Sequence, residues 1–189
     1  HPKVDIHHVL YSKKHKVLTG AFYFVDKKGY EFIDNQRAEL QTFLNNKFEG
    51  YDATVSNFCK DESAAIVLVH SDRSKGVYYY VDCLSNKCIK LAELSHWLDE
   101  EELAEMEPIS FTARDGETIH GYLTKPVDCE SPFPLVVNPH GGPWTRDKWG
   151  FNPEVQFLAN QGYGVLQINF RGSTGYGKSF WQKGFKQWG

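Results

Sequence analysis

The chain lacks a field of charge of one sign: 24 acidic and 21 basic residues are interspersed to a net −3, which argues against nucleic acid or anionic lipid as a partner. It has no run near the ~20 apolar residues of a membrane span, and His1-Pro2-Lys3-Val4-Asp5 has no signal-peptide core. Both absences predict a soluble protein, in the cytoplasm or exported. The four cysteines form no CxxC pair and no His-linked zinc spacing, and they are too sparse for a disulfide scaffold. They are expected to be free, partly buried thiols. The alternative is a Cys83–Cys88 disulfide across the turn Leu84-Ser85-Asn86-Lys87, where two hairpin strands would bring the thiols face to face. The first position is not Met, and the chain stops on Trp188-Gly189 directly after an aromatic-rich stretch, so we expect a piece of a longer protein. One further absence bears on chemistry: no GxSxG nucleophile elbow occurs anywhere.

What is present is globular material, with 41% apolar and 15% aromatic residues, well outside a disordered composition. The two halves follow different patterns. Residues 1 to about 94 read as short antiparallel strands: Val17 to Val25, a turn at Asp26 to Gly29, Tyr30 to Ile33, then Ala64 to His70, Gly76 to Asp82 and Lys87 to Leu91. Asn35 to Phe48 interrupts them, with Leu40, Phe43, Leu44 and Phe48 near helical spacing. Composition alone does not choose between sandwich sheets and propeller blades. Residues 95 to 107 allow a short acidic helix whose carboxylates, Asp99 to Glu102, form a solvated face, and Pro108 then favours an extended path. Beyond that boundary come a hairpin (Ile109 to Ala113, Thr118 to Leu123), an apolar strand (Phe133 to Asn138), a helix (Pro153 to Gln161), a second apolar strand (Gly164 to Phe170) and a final helix (Gly177 to Gln187) with Gly184 inside it. That alternation is the opening of an α/β domain with a largely parallel sheet.

Two stretches carry chemistry. In Pro134 to Trp144 a strand runs into Asn138-Pro139-His140-Gly141-Gly142-Pro143, where two glycines can turn the backbone and bare N–H groups at the carboxyl end of the sheet. The pattern fits one half of an oxyanion hole. It equally fits a glycine-rich turn in which His140 is merely hydrogen-bonded. Further on, Gly172 to Ser179 matches the phosphate-loop pattern GxxxxGK(S/T) letter for letter. The rival readings are a nucleotide-binding loop, with Lys178 on the phosphates, and plain loop-forming glycines. The bulky set Phe180, Trp181, Phe185 and Trp188 suits packing under another domain better than nucleotide chemistry. Ser173 lies in a near-elbow, but Arg171 stands where the first glycine should be, so Ser173 is not read as a nucleophile. The eight histidines are scattered and assemble no metal site.

Taken together, VVNPHGGPW and, about a dozen residues later, FLANQGYGVLQINFRGSTGYGKSF resemble the prolyl oligopeptidase family of serine peptidases, nearest its acylaminoacyl-peptidase-like and dipeptidyl-peptidase-like branch. MEPISFTARDGETIHGYLTKP resembles the segment leading from propeller to hydrolase in such enzymes, and SDRSKGVYYYVD a late propeller blade. The resemblance implies a mixed fold: residues 1–105 as the C-terminal blades of a β-propeller, residues 106–189 as the incomplete N-terminal part of an α/β hydrolase. It implies that Gly142 supplies an oxyanion N–H, that His140, Gly141 and Pro143 shape its loop, and that Arg171, Gly172, Gly175 and Gly177 are structural and bind no nucleotide. It implies short peptides as substrates, no cofactor and no metal. The serine, aspartate and histidine of the triad would all lie outside these residues, so the isolated chain would be inactive. A catalytically silent interaction module remains the other alternative, and oligomeric state stays open.

Overall fold

A computed structural model describes residues 4–127, 129 and 131–187. Among the described residues, eleven strands form three sheets. The first is an antiparallel meander of β1 (His8–Ser12), β2 (Val17–Phe24) and β3 (Lys28–Phe32). The helix α1 (Asn35–Lys47) follows, started by the Asp34 carboxylate, which accepts from the Arg37 N–H at 2.9 Å. The second sheet is a four-stranded antiparallel meander of β4 (Asp52–Phe58), β5 (Ala64–His70), β6 (Val77–Asp82) and β7 (Lys87–Glu93). Alternate residues of β4 to β6 point inward, so Ala53, Val67, Val69 and Val81 meet Leu40 and Leu44 of α1 in one core. The helical spacing read from Leu40 and Leu44 is the reason α1 sits there.

The hairpin turn does not oppose Cys83 and Cys88. Cys88 is paired with Val81, and Cys83 lies past the strand end. Both thiols are free and half-buried at the edge of this core, and burial pushes both upward in pKa. Cys59 and Cys129 are exposed, contrary to the expected partial burial of all four.

The third sheet has the order β10-β11-β9-β8, built from β8 (Met106–Thr112), β9 (Thr118–Thr124), β10 (Leu135–Val137) and β11 (Gly164–Asn169). Helix α2 (Pro153–Asn160) makes the crossover between the parallel pair β10 and β11 and packs on β11 and β9. Its start is fixed by the Asn152 side chain, which accepts from the N–H groups of Glu154 and Val155, and by Pro153 in the first turn. The expectation of a largely parallel sheet needs correction. Among the described residues only the β10–β11 pairing is parallel, because the β8–β9 hairpin inserts β9 antiparallel to β11. Among the described residues β10 is a sheet edge, and although its run is apolar, Leu135 and Val137 are about half exposed.

Two of the expected helices are much shorter. The acidic segment forms only a 3-10 turn at Glu100–Glu102. The last helix, α3 (Gly177–Gln182), stops five residues early. Gly184 is the cause: it packs against Gly172, and a Cβ there would lie 2.7 Å from the Gly172 Cα and 2.9 Å from the Arg171 carbonyl. Trp188 and Gly189 lie outside the described residues. Among those described, no helix is long and apolar enough to cross a membrane.

Gln156 braces the buried end of the linker before β8. Gln156 of α2 donates to the carbonyls of Ala104 (2.8 Å) and Asp72 (2.9 Å) and accepts from the Ala104 N–H (2.9 Å). All these groups are buried, so Gln156→Leu leaves three backbone polar atoms without partners. A loss of about 2 kcal/mol is expected, read as a lower urea midpoint at unchanged slope.

Candidate active site

Two loops leave the carboxyl ends of β10 and β11, where the parallel pair opens to solvent. The β10 loop carries His140, Gly141, Gly142 and Pro143; the β11 loop carries Phe170 to Gly177. Together they border an open cleft with Asp115 and Lys183 on its rim. The loops are stitched to each other. The Thr174 N–H donates to the Thr145 carbonyl at 2.9 Å, and His140 Nε2 lies 2.7 Å from the Ser173 hydroxyl. The His140 ring stacks on Phe170, with centroids 4.4 Å apart, and its Nδ1 is 2.7 Å from the Gly141 carbonyl oxygen.

Gly142 has φ +129°, and a Cβ there would sit 2.9 Å from the Trp144 nitrogen. Only glycine takes this conformation without strain. Gly141 and Gly142 are exposed, and neither N–H has an acceptor among the described residues. Their donors therefore face solvent in a cleft, which is the arrangement that can receive a developing negative charge. Pro143 follows in the same turn.

Arg171 and Lys183 do not point free charge into the cleft. Arg171 pairs with Asp115 in the β8–β9 turn, and Lys183 with Glu117. Arg171 thus ties its loop to the neighbouring hairpin. Ser173 is fully buried, so its hydroxyl cannot meet a substrate. Its contact with His140 spans 33 residues and had no signal in the sequence.

The phosphate-loop reading meets a physical objection. The Gly177 N–H, which should face phosphate, donates to the Asp5 carboxylate at 3.0 Å, and the Asp5 N–H donates to the Gly175 carbonyl. A carboxylate seated in the loop repels the anion the motif would bind. The Gly172 N–H is likewise taken, by the Phe180 carbonyl.

Beneath both loops lies a buried polar network that the sequence reading missed. Arg146 is 9% exposed. Its guanidinium donates to the carbonyls of Phe24 and Val25, at the end of β2, and to the Tyr176 hydroxyl. It also lies 4.2 Å over the Tyr176 ring. Burial pushes the Tyr176 phenol up to about 12, so the hydroxyl stays protonated. Asn169, with no exposed surface, donates to the Tyr176 hydroxyl and the Asp147 carbonyl and accepts from the Asp147 N–H. Burial raises the Asp147 carboxyl, partly offset by the amide it accepts from Gln167. No sequence pattern marked Arg146; only the fold brings it under β2.

Residues 149–189, which include the β11 loop, match the model of the prolyl oligopeptidase family. Dipeptidyl aminopeptidase BIII of Pseudoxanthomonas mexicana is 37% identical over 145 residues, covering 72% of this chain and 21% of that protein. The chain belongs to the prolyl oligopeptidase family. Dipeptidyl peptidase family member 6 of Caenorhabditis elegans, 32% identical over 186 residues, covers 84% of the chain and 24% of its own length. A prolyl endopeptidase structure superposes with a TM-score of 0.72 over 97% of this chain and 27% of its own, at 15% identity; that likeness speaks for the fold alone. The chain thus spans about a fifth to a quarter of the prolyl oligopeptidase family members it matches.

Proposed function

We propose that residues 1–189 are the part of a serine peptidase in which a β-propeller hands over to an α/β hydrolase, and that their chemical contribution is one half of the oxyanion hole. The observation that carries this reading is the Gly142 N–H, without a protein acceptor among the described residues, on a loop whose positive φ requires glycine, beside a cleft at the sheet's carboxyl end. The antiparallel meanders of residues 8–32 and 52–93 support blades over residues 1–105. The β10–α2–β11 crossover supports a hydrolase start over residues 106–189. Substrates are short peptides, since the similar proteins are peptidases by name.

In this mechanism a serine from a GxSxG elbow outside residues 1–189 attacks the peptide carbonyl, and a histidine takes its proton and returns it to the leaving amine. The carbonyl oxygen becomes an alkoxide and accepts from Gly142 N–H. His140, Gly141 and Pro143 hold that donor. Arg171, Gly172, Gly175 and Gly177 keep the adjoining loop in place. No cofactor or metal takes part.

The test is hydrolysis of dipeptidyl and acylaminoacyl 4-nitroanilides by the full-length protein containing this chain and, separately, by residues 1–189. Turnover by the longer protein that a fluorophosphonate abolishes, with the labelled serine in a GxSxG peptide beyond residue 189 and none by the short chain, is the expected result. Serine-reagent-sensitive turnover by residues 1–189 alone, or none by the longer protein, overturns the proposal.

A further inference from the structure

Ser173 is conspicuous because it is fully buried, lies on the family's glycine-rich loop and yet bonds to a side chain of the other loop. We infer that Ser173 and His140 form a relay that sets the orientation of the Gly141–Gly142 peptide, and so aims the Gly142 N–H; both are positioning residues. This rests on the reading of Gly142 given above.

The argument starts from what each atom can do. The Gly141 carbonyl oxygen only accepts, so His140 Nδ1, 2.7 Å away, must carry the proton. In the neutral ring Nε2 is then the acceptor, and the Ser173 hydroxyl, 2.7 Å away, donates to it. The Phe170 ring under the imidazole, at 4.4 Å, removes the remaining freedom of the ring to tilt. Ser173 is held in turn by its own N–H, which donates to the Phe170 carbonyl at 2.9 Å.

The consequence lies in the geometry of one peptide unit. The Gly141 C=O and Gly142 N–H belong to the same planar trans group and point in opposite directions. An imidazole that holds the oxygen on one edge therefore fixes the direction of the hydrogen on the other. Two adjacent glycines would otherwise let this peptide rotate at little cost. A buried hydroxyl on the β11 loop thus constrains a donor on the β10 loop without touching the substrate.

Ser173→Ala removes one oxygen and leaves Nε2 facing a methyl group. In the full-length enzyme, kcat is expected to fall about 10- to 100-fold, with KM changed less than about twofold, because a misaimed donor weakens transition-state rather than ground-state binding. Affinity for a peptide aldehyde, whose adduct places an oxygen at the oxyanion position, should fall in parallel. Affinity for the matching peptide alcohol should not. His140→Asn, which keeps an N–H near the place of Nδ1, should retain more activity than His140→Leu. Equal losses in the two His140 variants, or equal weakening of aldehyde and alcohol, overturn the relay.

Crystal structures of the wild-type and Ser173→Ala proteins decide the point independently of turnover. Release of the Gly141 oxygen from His140 is expected in the variant, and an unmoved peptide overturns the inference. Absence of serine-sensitive turnover in the wild type would instead count against the peptidase reading, with the crystallographic comparison still deciding the relay.

Discussion

Gly142→Ala is expected to lower kcat of the full-length enzyme by about 10²- to 10³-fold, the range seen when one oxyanion donor is lost, with KM nearly unchanged. The added methyl would stand 2.9 Å from the Trp144 nitrogen and 3.1 Å from Thr145 Cγ2, on a backbone at φ +129°. Neither neighbour yields easily, since the Thr145 carbonyl is tied to the Thr174 N–H. The peptide must turn, and the N–H turns with it. Gly141→Ala is the natural comparison: its added carbon meets nothing within 4 Å, so a much smaller loss is expected. Gly142 is exposed and outside both apolar cores, so the strain should cost only about 1–3 kcal/mol. Steady-state kinetics at a temperature where both variants are folded separates the catalytic loss from that strain.

Arg146→Met should be the most damaging single change to the junction between the sheets, at about 3 kcal/mol. Methionine retains most of the apolar stem, so the loss isolates the guanidinium. The carbonyls of Phe24 and Val25 lose the guanidinium donor, and the Tyr176 hydroxyl keeps only the Asn169 amide. Each buried group left unpaired costs about 1–3 kcal/mol, and partial rehydration recovers some of it. Arg146→Lys should recover little, because one ammonium cannot reproduce the planar fork that reaches two carbonyls and a phenol. Urea unfolding followed by tryptophan fluorescence is the appropriate measurement, and Trp149 is a suitable reporter. It is buried beside Met106 and Tyr122, donates to the Met106 carbonyl, and has the Lys27 ammonium 3.7 Å over its ring.

Elements were legible where local pattern and tertiary packing agree. The helix read over Asn35 to Phe48 ends one residue earlier, because Leu40 and Leu44 are also the residues the second sheet buries. Ala64 to His70 was read with its true limits. β1 leaves Val9 and Tyr11 about half exposed and buries Ser12, and β4 carries polar residues on its outward face, so neither strand is marked by pattern, although Ala53 and Val55 alternate as a half-buried strand requires. The early end of α3 depends on Gly184 meeting Gly172, a contact between segments twelve residues apart that no window of periodicity contains. The edge position of β10 is a property of strand order, which an apolar run such as Leu135 to Val137 does not state.

The candidate site divides in the same way. The glycines of both loops were visible because positive φ leaves a residue signature: Gly142, Gly172, Gly175 and Gly177 all take it. The phosphate-loop match arose from the same glycines, and only the Asp5 carboxylate on Gly177 shows how the fold uses them. The missing first glycine argues against Ser173 as a nucleophile, but no pattern announces its bond to His140, which joins two loops across a parallel crossover. Arg146 gave no signal, since its acceptors are main-chain carbonyls more than a hundred residues away, and a carbonyl belongs to every residue alike.

The measurement that bears most directly on the central claim is a crystal structure of the full-length enzyme with a peptide aldehyde bound to its nucleophile. The account predicts the Gly142 nitrogen at about 2.7–3.1 Å from the tetrahedral oxygen, with the Gly141 carbonyl still on His140. An oxygen held by other donors, with the Gly142 nitrogen beyond about 3.5 Å, would contradict it.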